Sequence, residues 1–221
     1  MVFIMESKAK IVYKNREMLI LDKMAGVVCT REGREIKGSL EEWLEKKFSD
    51  NKLPRQGIVH RLDKGTSGLM VVARTDEFRI KIMKLFKDRK VKKEYWALAE
   101  GDLPQNGVIK VPINRSKYQF GRFVVGEDGK EAETHFKLLE KYKCENRVYS
   151  LVEVNLKTGR THQIRVHFSY LGWPLVGDTI YGGHSLLGLQ RPFLHAKKLA
   201  FLDKSYESEL ALDLKKIIVQ L

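Results

Sequence analysis

The sequence predicts an α+β domain, built around a mixed and largely antiparallel central sheet that is flanked by helices and loops. Three observations predict this class. Strand-like runs outnumber helical ones, and turn residues separate them closely. Four segments have the apolar spacing of amphipathic helices. Hydrophobic residues make up 43% of the 221 residues, which is enough for a sizeable core. We therefore expect a single domain over residues 1–221.

The strands are predicted from runs of β-branched, aromatic and alternating apolar residues. The first two, 11–13 and 18–22, flank a polar turn and are typical of a hairpin. The later strands follow the same pattern, with clear alternation in the stretch that begins at Val148. They are predicted over residues 69–74, 94–100, 108–113, 122–125, 133–139, 148–156 and 193–202.

Each helix is predicted from its apolar face, and three of the four also from their end residues. Ser39, with Glu42 three residues later, forms a capping box that begins the first helix. Thr75 and Thr161 are predicted to cap the second and third helices, and Gly172 to end the third. The expected apolar faces are Leu40, Trp43, Leu44 and Phe48; Phe78, Ile82, Leu85 and Phe86; Ile164, Phe168 and Leu171; and Leu210, Leu214, Ile217 and Ile218.

The charge of the chain indicates a polyanionic partner. The 41 Lys and Arg residues exceed the 28 Asp and Glu residues, for a formal charge of +13. RNA, DNA and an anionic membrane all fit such an excess. Cys29 and Cys144 lie far apart in sequence, which excludes a cysteine-based zinc framework and suits a reducing compartment. The segment MVFIMESKAK is not a signal peptide, and no apolar run approaches the ~20 residues of a membrane span. We expect a soluble, cytoplasmic protein.

The segment with the densest set of polar and charged side chains that could act in catalysis is GIVHRLDKGTSGL, residues 57–69. Asp63 lies there between Arg61 and Lys64, close to hydroxyl and glycine residues. Glycines allow a tight turn and a close approach to a ligand, and Thr66 can hydrogen-bond to the loop backbone. A carboxylate in this setting is a candidate for catalysis. The alternative is a structural aspartate that pairs with Arg61 or Lys64.

A second polar segment, KTGRTHQIRVH at residues 157–167, lies at a predicted strand-to-helix junction. Helix starts supply N–H groups that suit phosphate or carboxylate, and Arg160 lies there. Arg165 points away from the apolar face of the helix and can reach a carboxylate on a neighbouring loop. His162 and His167 are five residues apart, unlike the i, i+4 spacing of zinc-binding helices. We expect no metal site, and we expect His162 to hold a loop by hydrogen bonds.

These segments resemble known motifs. HRLDKGTSGL at 60–69 resembles the first motif of the RluA family of pseudouridine synthases. TGRTHQIRVH, GWPLVGDTIYG and LHA resemble three further motifs, and KEYWA resembles the tyrosine motif of that family. The matches follow the family order and span roughly residues 20–202. The chain departs from the family pattern at Gly65, at DKMAG (22–26) and at Leu202–Asp203, which leaves the subgroup open.

The resemblance implies the pseudouridine synthase catalytic fold, without the N-terminal accessory RNA-binding domain that many relatives have. It implies an enzyme that isomerises uridine in structured RNA, either ribosomal or transfer RNA, with no cofactor and no metal. Asp63 is then the essential carboxylate, which attacks the sugar or abstracts a ribose proton, and Arg165 is its partner. Tyr95 stacks on the flipped uracil, and Arg61 fills the gap that the base leaves. The other expected substrate-binding residues are His60, Thr66, Arg160, His162 and Ile164.

Two further basic stretches suit contacts with phosphate. One is the run Lys87, Arg89, Lys90, Lys92 and Lys93, and the other is the loop 114–122, in which basic and aromatic residues alternate. For both, a solvated surface is the alternative. Two other functions remain open, a non-catalytic RNA-binding protein and a metal-dependent nuclease that uses the histidines with Asp63. We expect a monomer.

Overall fold

The computed structural model describes residues 7–31 and 37–221, so the first six residues of the N-terminal segment considered above lie outside it. The described residues form eleven strands, four α-helices and two short 3-10 helices at Pro54–Gly57 and Thr179–Tyr181. The strands and α-helices, in chain order, are β1 (Ala9–Lys14), β2 (Met18–Lys23), α1 (Leu40–Lys47), β3 (Ser67–Ala73), α2 (Asp76–Lys87), β4 (Lys92–Glu100), β5 (Asn106–Lys110), β6 (Ile113–Arg115), β7 (Phe123–Val125), β8 (Glu133–Cys144), β9 (Arg147–Leu156), α3 (Gln163–Tyr170), β10 (Leu194–Phe201), β11 (Lys204–Glu207) and α4 (Leu212–Gln220).

The predicted α+β class, with a mixed and mostly antiparallel sheet, is confirmed. The chain divides into two compact units. The first consists of Met1–Val91 and Leu199–Ser208, and the second of Lys92–Lys198 and Glu209–Leu221.

The first unit is built on the antiparallel strands β1, β2 and β3. The side chain of Asn15 accepts hydrogen bonds from the N–H groups of Glu17 and Met18, at 3.0 and 2.8 Å, and so fixes the predicted β1–β2 hairpin. All seven residues of β3 are buried. Its side chains pack with those of β2 and with Phe78 and Ile82 of α2, which forms the core of this unit.

Helices α1 and α2 begin as predicted. Ser39 accepts a hydrogen bond from the N–H of Glu42 at 3.2 Å, and Thr75 accepts one from the N–H of Phe78 at 3.3 Å. The carboxylate of Glu42 accepts from the N–H of Gly38, one residue before the cap. Within residues 7–31 and 37–221, none of the helices has the length and apolarity needed to cross a membrane.

The second unit contains the antiparallel order β4–β9–β8–β5 and a separate β6–β7 hairpin. One predicted strand, 108–113, is divided into β5 and β6, because Pro112 has no N–H to donate and interrupts the ladder. Helix α4 packs Leu214 and Ile217 against Leu98 and Phe193, and Ile218 packs against the same core. Leu210, the fourth residue of the predicted apolar face, lies before the helix, which begins at Leu212.

The ends of α3 and β10 differ from the prediction. Thr161 is not the cap of α3, because His162 takes the cap position with a left-handed backbone (φ +56°) and no side-chain cap bond. Leu171 is exposed, since the helix ends before it, whereas Gly172 follows the end with a positive φ as expected. Strand β10 stops at Phe201 because Leu202 and Asp203 both have positive φ, as the turn of a two-residue hairpin into β11 requires.

Gly57 lets the chain pass close to β3 just before the polar loop at residues 60–66. Replacing Gly57 by alanine is expected to lower the free energy of unfolding by about 2–4 kcal/mol. A Cβ atom there would lie 1.9 Å from the carbonyl oxygen of Ala73, and the backbone has a φ of +78°. Urea unfolding, followed by circular dichroism, measures the change.

The control for this prediction is Gly26→Ala in the same unit. Gly26 has a φ of +84°, but nothing lies within 4 Å of the position that a Cβ would take. Only the backbone strain, about 1 kcal/mol, is therefore expected. Equal losses of stability in the two variants would contradict the steric explanation for Gly57.

Candidate active site

The loop that contains Asp63 lies between two fixed points in the first unit. Ile58 forms a bridge with Val72 of β3 before the loop, and β3 begins directly after it. Within the loop, the carbonyl of Asp63 accepts a hydrogen bond from the N–H of Thr66 at 3.0 Å, which closes a tight turn. The side chain of Asp63 is half-buried, and that of Thr66 is buried. The carboxylate of Asp63 therefore extends from a loop whose backbone is held at both ends.

His60 fixes the start of this loop. Its Nε2 accepts a hydrogen bond from the N–H of Val71 at 3.0 Å, so that nitrogen has no proton. The ring also packs against Phe86 of α2, with ring centroids 4.7 Å apart. His60 is therefore a support of the loop, while the role in substrate binding that was predicted for it stays a prediction.

The segment after β2 supports the loop on both sides of Asp63. The thiol of Cys29 lies 3.2 Å from the carbonyl oxygen of Leu62 and 3.4 Å from its N–H. The N–H of Gly26 donates to the carbonyl of Lys64 at 2.7 Å. Burial raises the pKa of the Cys29 thiol, so it stays protonated and can donate. No local pattern indicates this support, because the partners are more than 30 residues apart in sequence.

In the second unit, Gln163 holds the loop that precedes α3. Its Oε1 accepts hydrogen bonds from the N–H of Arg160 and the hydroxyl of Thr158, at 2.9 and 2.8 Å. Its Nε2 donates to the carbonyl of Glu133 and to the hydroxyl of Thr134 in β8, at 3.1 and 3.0 Å. All four hydrogen-bonding positions of this amide side chain are used, so the loop is fixed to the sheet.

His167 belongs to the same hydrogen-bond network, in which it joins α3 to Thr134 of β8 and to Val111. Its Nε2–H donates to the carbonyl of Val111 at 3.1 Å, and its Nδ1 lies 2.9 Å from the hydroxyl of Thr134. Burial lowers the pKa of His167, which favours the neutral imidazole that these two bonds require. Of the residues that the structure describes, no three His, Cys, Asp or Glu side chains are placed to hold a metal ion.

Arg165 is buried and forms a two-pronged ion pair with Asp178. Its Nε donates to Oδ2 at 2.6 Å and its Nη2 to Oδ1 at 2.7 Å. The guanidinium also lies over the ring of Tyr181, 4.8 Å from the centroid. The expectation that Arg165 reaches a carboxylate on a neighbouring loop is confirmed for Asp178. Its pairing with Asp63 stays a prediction.

Tyr181 connects α3 with the β6–β7 hairpin. Its hydroxyl accepts a hydrogen bond from the N–H of Phe123 at 3.0 Å and lies 2.9 Å from Nδ1 of His162. His162 therefore holds a loop, as expected. Asp178 and Tyr181 lay inside a motif that the sequence displays, GWPLVGDTIYG, but were not assigned to the site. That motif was the signal that could have identified them.

The remaining predicted residues are placed as follows. Tyr95 is buried on β4, opposite Val154 of β9, and shares a face with buried Ala97. Arg160 is half-buried, and its Nε donates to the carbonyl of Glu131 at 2.9 Å. Ile164 is buried in α3, and Arg61 is exposed.

The sequence model of the RNA pseudouridylate synthase family matches residues 17–170. The ribosomal large subunit pseudouridine synthase D of Pseudomonas aeruginosa is 42% identical over 175 residues, which are 79% of this chain and 53% of that protein. The protein of the same name from Nitrosomonas europaea is 39% identical over 199 residues, 86% of this chain and 57% of its own length. The chain thus spans a little over half the length of these relatives. A solved structure, human RNA pseudouridylate synthase domain containing 1, has a TM-score of 0.72 at 29% identity and covers 92% of this chain and 83% of its own.

Proposed function

Since this chain belongs to the RNA pseudouridylate synthase family, we propose that it isomerises uridine to pseudouridine within structured RNA. The bond from N1 of uracil to C1′ of ribose breaks, the base turns, and C5 is joined to C1′. A proton leaves C5 and N1 gains one, so the reaction needs no oxidant and no cofactor. The observation that supports the proposal most is the turn at Asp63, a half-buried carboxylate in a loop that is held on both sides.

Asp63 is the proposed catalytic carboxylate, acting as nucleophile toward the sugar or as base toward a ribose proton. Either role requires the ionised form and a fixed position. The supports from Cys29 and Gly26 fix the backbone on each side of Asp63, which favours such a role over that of an ordinary surface aspartate. Arg61 is exposed beside it and is proposed to occupy the gap left by a flipped base.

Tyr95 and Arg165 are the other proposed catalytic residues. Tyr95 lies on a strand face with a small neighbour, Ala97, which suits a ring that stacks on uracil. Arg165 is held in one orientation by Asp178, so its guanidinium is preorganised. His60, Thr66, Arg160, His162 and Ile164 complete the proposed substrate-binding set, most of them by holding the two loops.

Ribosomal RNA of the large subunit is the proposed substrate, because the relatives are named for it and the charge of +13 suits a polyanion. Transfer RNA is the alternative. We expect the protein to act as a monomer in the cytoplasm, where ribosomes are assembled.

Purified protein is expected to form pseudouridine in an unmodified transcript of large-subunit ribosomal RNA, with and without a chelator. Nucleoside chromatography measures the product. Binding to the transcript is expected to weaken at least tenfold between about 50 and 200 mM salt, because phosphate contacts release counterions. Mapping of pseudouridine in cells with and without the gene identifies the site. Activity that vanishes with the chelator, or no lost site in any RNA, would contradict the proposal.

A further inference from the structure

Lys93 is a partly buried cation of β4 that has no acidic partner within the described part of the chain. No hydrogen bond from its ammonium to any described residue is found either. Burial lowers the pKa of Lys93, since removal from water disfavours the charged form. A charge in such a place costs free energy unless a partner satisfies it.

Other lysines of this chain show how a shielded ammonium is otherwise satisfied. Lys23 is completely buried, and its ammonium donates to the carbonyls of Met24 and Val27, both at 2.9 Å. Lys197 lies over the ring of Trp96, 5.4 Å from the centroid. Lys93 has neither kind of partner among the described residues, so folding alone gives no reason for a lysine at this position.

The surroundings of Lys93 suit an anionic ligand. Strand alternation places its side chain on the same face of β4 as Tyr95. Its Nζ lies 3.4 Å from the position that a Cβ would take at Gly159, so it lies against the backbone of the loop before α3. Gln163 fixes that loop, and Arg160 adds a second cation to it. The ammonium therefore lies between β4 and the fixed loop before α3, where the nearest residue, Gly159, has no side chain.

On the basis of the proposed function, we propose that Lys93 binds a phosphodiester oxygen of the RNA, next to the nucleotide that Tyr95 contacts. An ammonium is a compact point charge that suits a single phosphate oxygen, and Gly159 allows the close approach of a backbone. The phosphate supplies the missing partner of the ammonium. RNA is favoured over a small anion because the whole chain has a charge of +13.

The test compares Lys93→Met with Lys143→Met, an exposed lysine on β8 of the same unit that lies outside the basic stretches. Lys93→Met removes a poorly satisfied charge, so its melting temperature is expected to rise by about 2–4 °C. Its Kd for an unmodified transcript of large-subunit ribosomal RNA is expected to rise roughly tenfold. The slope of log Kd against log salt is expected to fall by about 0.7–0.9, the loss of one phosphate contact. Lys143→Met is expected to change Kd by no more than about twofold and to leave the melting temperature unchanged.

Lys93→Arg keeps the charge and is expected to keep the salt slope. The proposal is overturned if Lys93→Met binds RNA like the wild type, or if Lys143→Met weakens binding equally. It is also overturned if inorganic phosphate raises the melting temperature of the wild type but not that of Lys93→Met, while the slope of log Kd for RNA against log salt is the same in these two proteins. Wild-type protein that binds the transcript without modifying it would refute the proposed function instead, because the Lys93 comparison is made on binding.

Discussion

Replacing Asp63 by asparagine is expected to reduce the rate of pseudouridine formation by at least about a thousandfold. Asparagine has nearly the same shape but can neither attack the sugar nor accept a proton as a carboxylate does. The backbone turn should persist, because its hydrogen bond joins the Asp63 carbonyl to the Thr66 N–H and does not use the side chain. The free energy of unfolding is expected to fall by no more than about 2 kcal/mol, because the backbone turn is kept.

Single-turnover kinetics on the ribosomal transcript measures the rate, and urea unfolding measures the stability. Asp50→Asn is the control, because Asp50 is exposed in the same unit and lies outside the loop. The Kd of Asp63→Asn for RNA is expected to stay within about threefold of the wild type, since its backbone supports are kept. An Asp63→Asn protein that modifies RNA at the wild-type rate would show that Asp63 is structural, the alternative that the sequence left open.

Most strands and helices of this chain could be predicted because their causes are local. Alternation identifies a strand whose two faces meet different surroundings, as the stretch after Val148 shows. The side chains of Ser39 and Thr75 cap helices by reaching N–H groups only three residues away. Strand β8 was predicted too short, because its far end is exposed and a bulge after Leu138 shifts the alternation.

The details of the site depend on partners that are far apart in sequence. Thr161 was a reasonable cap for α3 by residue type, but Gln163 already satisfies the loop by bonding to β8, 29 to 30 residues earlier. The support that Cys29 gives to Leu62 spans 33 residues. No local pattern indicates such pairs. Resemblance to known motifs could find the residues of the site, but only the fold shows which side chain holds which loop.

The two polar loops have one physical property in common. Each is held by hydrogen bonds from polar side chains, which are buried Cys29 and half-buried His60 in the first unit and buried Gln163 in the second. Fixed loops of this kind lower the entropy that must be lost when a substrate is positioned. The buried pair of Arg165 and Asp178 is the strongest such support, so its removal is expected to cause a large loss in the free energy of unfolding.

Asp178→Ala is expected to lower the free energy of unfolding by about 3–5 kcal/mol, because it removes a carboxylate that accepts two hydrogen bonds from a buried guanidinium. The side chains of Arg165 and Asp178 are 6% and 1% exposed, so water cannot replace the lost bonds. The activity of any folded fraction should fall as well, since the orientation of Arg165 is no longer fixed. Urea unfolding at several temperatures measures the stability, and activity is measured below the unfolding transition.

A double-mutant cycle separates the pair from general damage. Arg165→Met combined with Asp178→Ala is expected to be more stable than Asp178→Ala alone, because the buried charge is removed together with its carboxylate. The matched control is Arg191 with Asp213, which has the same two-pronged geometry at 2.6 and 2.8 Å but a carboxylate that is 48% exposed. Its coupling is expected to be at most about 1 kcal/mol, since solvent screens it, against at least about 2 kcal/mol for Arg165 with Asp178. Equal coupling in the two pairs would show that burial does not determine the strength of the Arg165 pair, and would remove the physical reason for treating Asp178 as the residue that orients Arg165.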